Sequence, residues 1–207
     1  MSVHKSLPHD AAPLHVTGQA RYIDDIPAPA NALHLAFGLS AVAHGQITAL
    51  DLAAVRAAPG VALVLTAQDV GDADCSPSAH DEPLLAQGTV HHAGQPMFLV
   101  AADSHLNARR AARLARVAID EAPAILTIDD ALAAGSHFED GPRVWSRGDA
   151  EAALAAAPRV IEGRIEMGGQ EHFYLEGQAA LATPGEGGEM FVQSSTQHPT
   201  EIQHKVA

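Results

Sequence analysis

The apolar and polar positions divide this chain into short runs, most of them of strand length. Leu33–Ser40 alternates large and small residues, and His44–Asp51 follows the same pattern, so both read as strands. Leu52–Ala58 reads as a short helix stopped by Pro59-Gly60. Val61–Thr66 is a continuous apolar run, which predicts a buried strand. Asp69–Glu82 is polar, contains Pro77 and has no period, and is expected to be a loop. Val90–Pro96 leads into an apolar strand over Met97–Ala102. Ser104 then stands where an N-cap would open a helix from His105 to about Ala118. On that helix Ala108, Ala111, Ala115 and Ala118 form a small-residue face, and Arg109, Arg110, Arg113 and Arg116 lie on the other side. Leu126–Ala134 is a further short element ending near Gly135.

The second half is sparser. His137–Gly148 is rich in turn formers, and Asp149–Ala157 is an alanine-rich helix closed by Pro158. Val160–Met167 alternates apolar and polar, the period of a half-buried strand, and runs directly into Gly168-Gly169. Gln178–Thr183 and Met190–Gln193 read as strands joined by a turn over Pro184–Gly188. Pro199–Ala207 has a proline suited to a first helical turn, with Ile202 and Val206 four apart. A helix that short is marginal alone, and the sequence stops there without a cap, so the expectation is a fragment whose second domain has only begun. The order of elements predicts an α+β fold. The expected divisions are an extended leader over 1–15, an α/β domain over 16–136, a linker over 137–148 and a second domain from 149 to 207.

Composition narrows the function. With 25 acidic and 12 basic residues the formal net charge is −13, which argues against a nucleic-acid or anionic-membrane surface. The single cysteine, Cys75, cannot form a disulfide within the chain or build an iron–sulfur cluster or thiolate zinc site alone. No run approaches the roughly 18 apolar residues of a membrane span, and the amino terminus lacks a secretory pattern; a cytoplasmic protein is expected. Thirteen histidines invite a metal site. Yet His91 and His92 are adjacent and would point to opposite faces of a strand, and His198 and His204 miss the i, i+4 spacing of a helical zinc site. Phosphate-loop, dinucleotide-turn and nucleophile-elbow patterns are absent.

The densest chemistry is Gly168-Gly169-Gln170-Glu171-His172-Phe173-Tyr174-Leu175-Glu176. Glycines without Cβ allow close approach of another group or a positive φ, and the residues behind them are polar, titratable and aromatic. Glu171 and Glu176, five apart on an irregular turn, are expected to hold the loop in shape rather than to act as an acid–base pair. Read by local physics alone, Gln170 serves a turn at a strand end. The string, however, resembles the molybdenum hydroxylases, specifically the molybdopterin-binding subunit of the xanthine dehydrogenases; the aldehyde oxidases carry a close variant. Thr17-Gly18-Gln19-Ala20-Arg21-Tyr22-Ile23-Asp24-Asp25 resembles the entry to the same catalytic chain, and Gly94-Gln95-Pro96 ahead of an apolar strand is similar to that family's hammerhead-like domain.

The resemblance implies that Gln170 donates a hydrogen bond to a ligand of the molybdenum, and so belongs to both the cofactor-binding and the metal surroundings. It implies oxidation of purines, hypoxanthine to xanthine and xanthine to urate, with a molybdenum–molybdopterin cofactor. Electrons then pass through 2Fe-2S centres and FAD, on a partner subunit or domain, to NAD. The implied assembly is a homodimer of heterodimers with an Fe-S/FAD subunit. The family's pterin loop, catalytic glutamate and substrate-clamping arginine have no counterpart in these residues, so no catalytic residue is assigned and the chain alone is expected to be inactive. Aldehyde oxidation, and a purely structural subunit-contact module, are the alternative readings.

Overall fold

The computed structural model describes residues 3–76, 79–138, 141 and 143–207. The expectations for Pro77 and for the linker at 139–140 and 142 lie outside the described residues. The chain forms two compact units: one runs to Ala122 and includes Tyr174–Ala207, and the other is Pro123–Phe173.

The larger unit opens with a helix, α1 (Ala12–Thr17), where an extended leader was expected. Pro13 sits in its first turn, where its missing N–H leaves no bond unmade, and Gly18 closes it with a φ of 70°. Asp24 and Asp25 form a 3₁₀ turn over Ile23–Asp25, with the Tyr22 N–H donating to Asp25 Oδ2 at 3.0 Å.

Two three-stranded antiparallel sheets follow. In the first, β5 (Pro96–Ala102) lies between β1 (His34–Leu39) and β3 (Val61–Thr66). In the second, β2 (Gly45–Asp51) lies between β4 (Thr89–Val90) and β6 (Arg116–Glu121). β5 takes the centre because it is apolar on both faces: Met97, Phe98, Val100, Ala101 and Ala102 are all buried. β3 holds an edge, so the buried strand expected over Val61–Thr66 is only half covered. Val64 is buried, but Leu63 is 50% exposed on the face that no element of the described residues covers. α2 (Ala53–Arg56) follows Leu52 as expected. A short α3 (Ala67–Val70) enters the stretch read as loop, opened by a reciprocal cap between Thr66 and Asp69.

The helix α4 (His105–Ala112) packs on β1, β5 and α2. Ser104 Oγ accepts from the Asn107 N–H at 3.2 Å, and Ala108 and Ala111 are buried, as the small-residue face requires. The helix stops at Ala112 rather than continuing to Ala118. Arg116-Val117-Ala118-Ile119-Asp120 alternates in exposure and pairs with β2, Val117 opposite Leu50 and Ile119 opposite Ile47. β-branched residues at alternate positions suit a pleated sheet, and that pairing overrides the helical reading. Arg116 therefore leaves the helix and does not share a face with Arg109 and Arg113. The core joins Leu52, Val55, Val64, Val90, Phe98 and Val100 to the alanines of α4.

Further along the same unit, β7 (Ala180–Pro184) and β8 (Met190–Ser194) form the expected hairpin, and α7 (Pro199–Val206) is the expected final helix. Lys205 Nζ donates to the carbonyls of Asp74 at 3.1 Å and Ser76 at 2.5 Å. A helix too short to stand alone is thereby tied to a loop of the same unit.

The smaller unit contains α5 (Ile128–Ala133) and α6 (Ala150–Ala156), each capped by a side chain: Thr127 Oγ1 accepts from the Asp130 N–H, and Asp149 Oδ1 accepts from the Ala152 N–H. The strand expected over Val160–Met167 is not formed. The alternation is present, but a strand exists only through a ladder with a neighbour, and none of the described residues supplies one; the whole run is exposed. Among the described residues it is tied in this unit by an exposed ion pair between Arg164 and Asp129 at 2.6 Å, of a kind that contributes about 0–1 kcal/mol. No helix among the described residues is long and apolar enough to cross a membrane.

Candidate functional site

Gly168–Glu176 lies on irregular backbone, and the boundary between the two compact units falls between Phe173 and Tyr174. Added Cβ atoms at Gly168 or Gly169 would meet nothing within 4 Å, so space is open around the backbone ahead of Gln170. Neither glycine uses the positive φ open to it. The left-handed residue is Phe173, with a φ of 53° and its ring 94% exposed. Non-glycine residues seldom adopt that conformation, so the bend of the motif is placed one turn later than the two glycines suggest. The Phe173 N–H donates to Glu171 Oε1 at 3.4 Å, closing a local turn.

Gln170 is exposed, and its carboxamide makes no hydrogen bond within the described residues. Both its N–H donors are therefore uncommitted, which a turn-capping glutamine would not leave. His172 is likewise exposed.

On the larger unit the end of the motif is anchored. Glu176 Oε1 accepts from the Ile23 N–H at 3.4 Å, across 153 positions of sequence, and Gln178 Nε2 donates to the Tyr174 hydroxyl at 2.7 Å. Glu171 and Glu176 are thus both engaged with backbone N–H groups, the loop-shaping role read from the sequence. The pairing of Glu176 with the Asp24-Asp25 turn was not legible, because nothing in either stretch names the other. The only hint was that both resemble the same family.

The histidines do not assemble into a site. His44 and His91 stack with ring centroids 6.2 Å apart, and among the described residues no three His, Cys, Asp or Glu side chains converge as a metal centre. Gln95 serves the fold: it is buried, its Oε1 accepts from the His91 N–H at 2.7 Å, and its carbonyl accepts from the Ser40 N–H at 2.9 Å.

Two family models match this chain, and the second takes in residues of both compact units. Residues 17–123 match the family model described as aldehyde oxidase and xanthine dehydrogenase, a/b hammerhead domain, and residues 135–207 match the molybdopterin cofactor-binding domain. A xanthine dehydrogenase of Drosophila pseudoobscura pseudoobscura is 44% identical over 202 residues, covering 96% of this chain and 15% of that protein. Aldehyde oxidase 1 of Cavia porcellus is 44% identical over 195 residues, covering 93% of this chain and 14% of its own length. The quinoline 2-oxidoreductase structure from Pseudomonas putida 86 superposes with a TM-score of 0.81 at 27% identity, over 100% of this chain and 28% of that one. The chain thus spans about 15% of the length of the curated relatives it matches. An α+β hammerhead domain followed by the start of a molybdopterin-binding domain, with the Gly-Gly-Gln string in the second, places this chain in the aldehyde oxidase and xanthine dehydrogenase family of molybdenum hydroxylases.

Proposed function

We propose that this chain is part of a molybdenum-dependent hydroxylase that oxidises purines, hypoxanthine to xanthine and xanthine to urate, and that Gln170 donates a hydrogen bond to a ligand of the metal. The observation that carries the proposal is the uncommitted, exposed carboxamide of Gln170 in open space beside two glycines. The donor set fits such a group to the extent of one amide. A molybdenum–molybdopterin cofactor, when bound, supplies two-electron oxidation chemistry that no side chain possesses. What Gln170 adds is a directed N–H, and Glu171 and Glu176 tie down the backbone that follows it. In the same reading electrons pass through 2Fe-2S and FAD on a partner subunit or domain to NAD, the assembly is a homodimer of heterodimers, and the protein is cytoplasmic. The domains in this reading are the leader to residue 15, the hammerhead domain over 16–136, a linker over 137–148 and the molybdopterin-binding part from 149. Oxidation of aldehydes is the second reading, favoured by the aldehyde oxidase of Cavia porcellus standing at the same 44% identity as the insect xanthine dehydrogenase.

The test is Gln170→Ala in the full-length, metal-loaded enzyme. A hydrogen bond to a charged group contributes about 1.5–3 kcal/mol, so turnover falls on the order of ten- to a hundredfold, with metal content and thermal stability unchanged. Wild-type turnover at full molybdenum occupancy overturns the role. Comparing kcat/KM for xanthine and for an aromatic aldehyde separates the two substrate readings.

A further inference from the structure

The first sheet ends on one side at β1, which among the described residues pairs with β5 and no other strand. Antiparallel pairing turns the N–H and C=O of alternate residues toward the neighbour, so the remaining groups of His34–Leu39 point outward. Among the described residues they bond to nothing. Such an edge is a template for another strand, and proteins blunt it with charge, proline, shortness or a bulge. The other edges of the two three-stranded sheets are blunted in these ways. β4 has two residues, and β6 carries Arg116, Asp120 and Glu121. β3 holds a bulge of its own, Ala62 being the extra residue opposite Ala101 and Ala102. β1 reads His-Leu-Ala-Phe-Gly-Leu, with no Lys, Arg, Asp, Glu or Pro. The register shift beside Leu39 leaves Met97 of β5 as the extra residue, so β1 itself runs unbroken.

The side chains of this edge fit a copy of themselves. A Cβ at Gly38 would meet the Phe98 ring, so Gly38 faces the core, and Leu35, Phe37 and Leu39 lie on the open face. They are 57%, 44% and 55% exposed. Leu-Phe-Leu reads the same from either end. With Phe37 opposite Phe37 in an antiparallel pair of two β1 strands, Leu35 of each copy stands opposite Leu39 of the other. On the inner face Ala36 stands opposite Gly38, small against small. Directly opposed apolar and aromatic pairs are the units that stabilise a sheet. Charge permits the approach here. Two chains of net charge −13 repel, yet β1, β3 and β5 hold no Asp, Glu, Lys or Arg between them. An acidic or basic partner finds no counter-charge on these strands. A whole large side chain presents about 150–250 Å², so the three half-open residues offer roughly 300 Å² per copy. Both copies together fall below about 1,200 Å², the range of weak and transient contacts, so monomer and dimer exchange.

We propose that a second copy of this chain pairs with β1 edge to edge and antiparallel, Phe37 opposite Phe37, joining the two sheets into one of six strands. The pairing is two-fold and therefore closes at the dimer. It is independent of Gln170 and of the molybdenum reading. Stacking of the two open sheet faces, and a charged partner, are the competing arrangements.

Sedimentation velocity of the 207-residue chain over a concentration series is the test, with a reductant present because Cys75 is exposed. The sedimentation coefficient rises from that of a monomer toward that of a dimer. Added salt does not reverse the rise, since it screens repulsion between the chains. Phe37→Lys sets like charges against each other at the axis and leaves the chain monomeric, with the circular dichroism and melting temperature of the wild type. Leu35→Lys, at a more exposed position, does the same. Adding Leu39→Glu to Leu35→Lys brings association back toward the wild type, because the register places the two positions opposite each other. Leu63→Lys, two strands from the edge, leaves association intact. The proposal fails if the chain sediments as a monomer throughout, or grows beyond a dimer. It fails equally if the double variant associates no better than Leu35→Lys. Loss of the dimer in Leu63→Lys shows stacked faces, and loss in salt shows a charged contact; either overturns it.

Discussion

Leu33–Ser40 and Val160–Met167 carry similar alternations of side chains, yet they end in different states. In the first, His34–Leu39 becomes β1, laddered residue by residue onto β5 and packed on α4. In the second, every residue from Val160 to Leu175 is exposed, including Ile161, Ile165, Met167, Phe173 and Leu175. Local pattern is necessary for a strand and does not suffice. β1 meets a central strand apolar on both faces; Val160–Met167 meets none among the described residues. Energy in this chain is therefore concentrated where Phe98, Val100, Val55 and Val90 are buried, while the residues with candidate chemistry lie where little holds them.

That contrast gives its own tests. Phe98 is 1% exposed, so Phe98→Ala should lower the stability of the larger unit by about 3–5 kcal/mol. Phe173→Ala, at a ring 94% exposed, should change it by less than about 0.5 kcal/mol. Urea denaturation followed by circular dichroism compares the two, and equal losses would break the contrast. Gly38→Ala forces a methyl into the Phe98 ring, an overpacking expected to destabilise by about 1–3 kcal/mol, read from the same curves.

Removing the α4 cap with Ser104→Ala should lower stability by about 1 kcal/mol, and faster amide exchange over His105–Ala112 would show it. Limited proteolysis should cut within 157–176 well before it cuts β1, β3 or β5, since exposed irregular backbone opens at little free-energy cost. First cleavage within β5 would reverse the ranking.

The smallest effect is a pH dependence at Asp69. The Thr66 N–H, then the Thr66 hydroxyl, holds its carboxyl below the ordinary value. A depressed folded pKa stabilises the fold above the unfolded value, near about pH 4. That stabilisation fades as pH falls from there through the folded pKa. Asp69→Asn should accordingly weaken the protein slightly at neutral pH and match the wild type in strong acid, as thermal melts at the two pH values would show.

Short-range information settled much of this protein. Alternation placed β1 and β2, Pro59-Gly60 closed α2, Ser104 opened α4, and the turn over Pro184–Gly188 joined β7 to β8, each through an interaction within a few residues of itself. The family string around Gln170 was legible for the same reason, since nine consecutive side chains are compared without knowing their neighbours. Partners far along the chain were not. Only the fold decided that 116–121 is a strand opposite β2, that β3 stands at an edge with Leu63 open, and that Val160–Met167 has no ladder among the described residues. It alone set Glu176 on Ile23 and Lys205 on the carbonyls of Asp74 and Ser76. Burial and pairing are properties of two surfaces at once, and a sequence window contains only one of them.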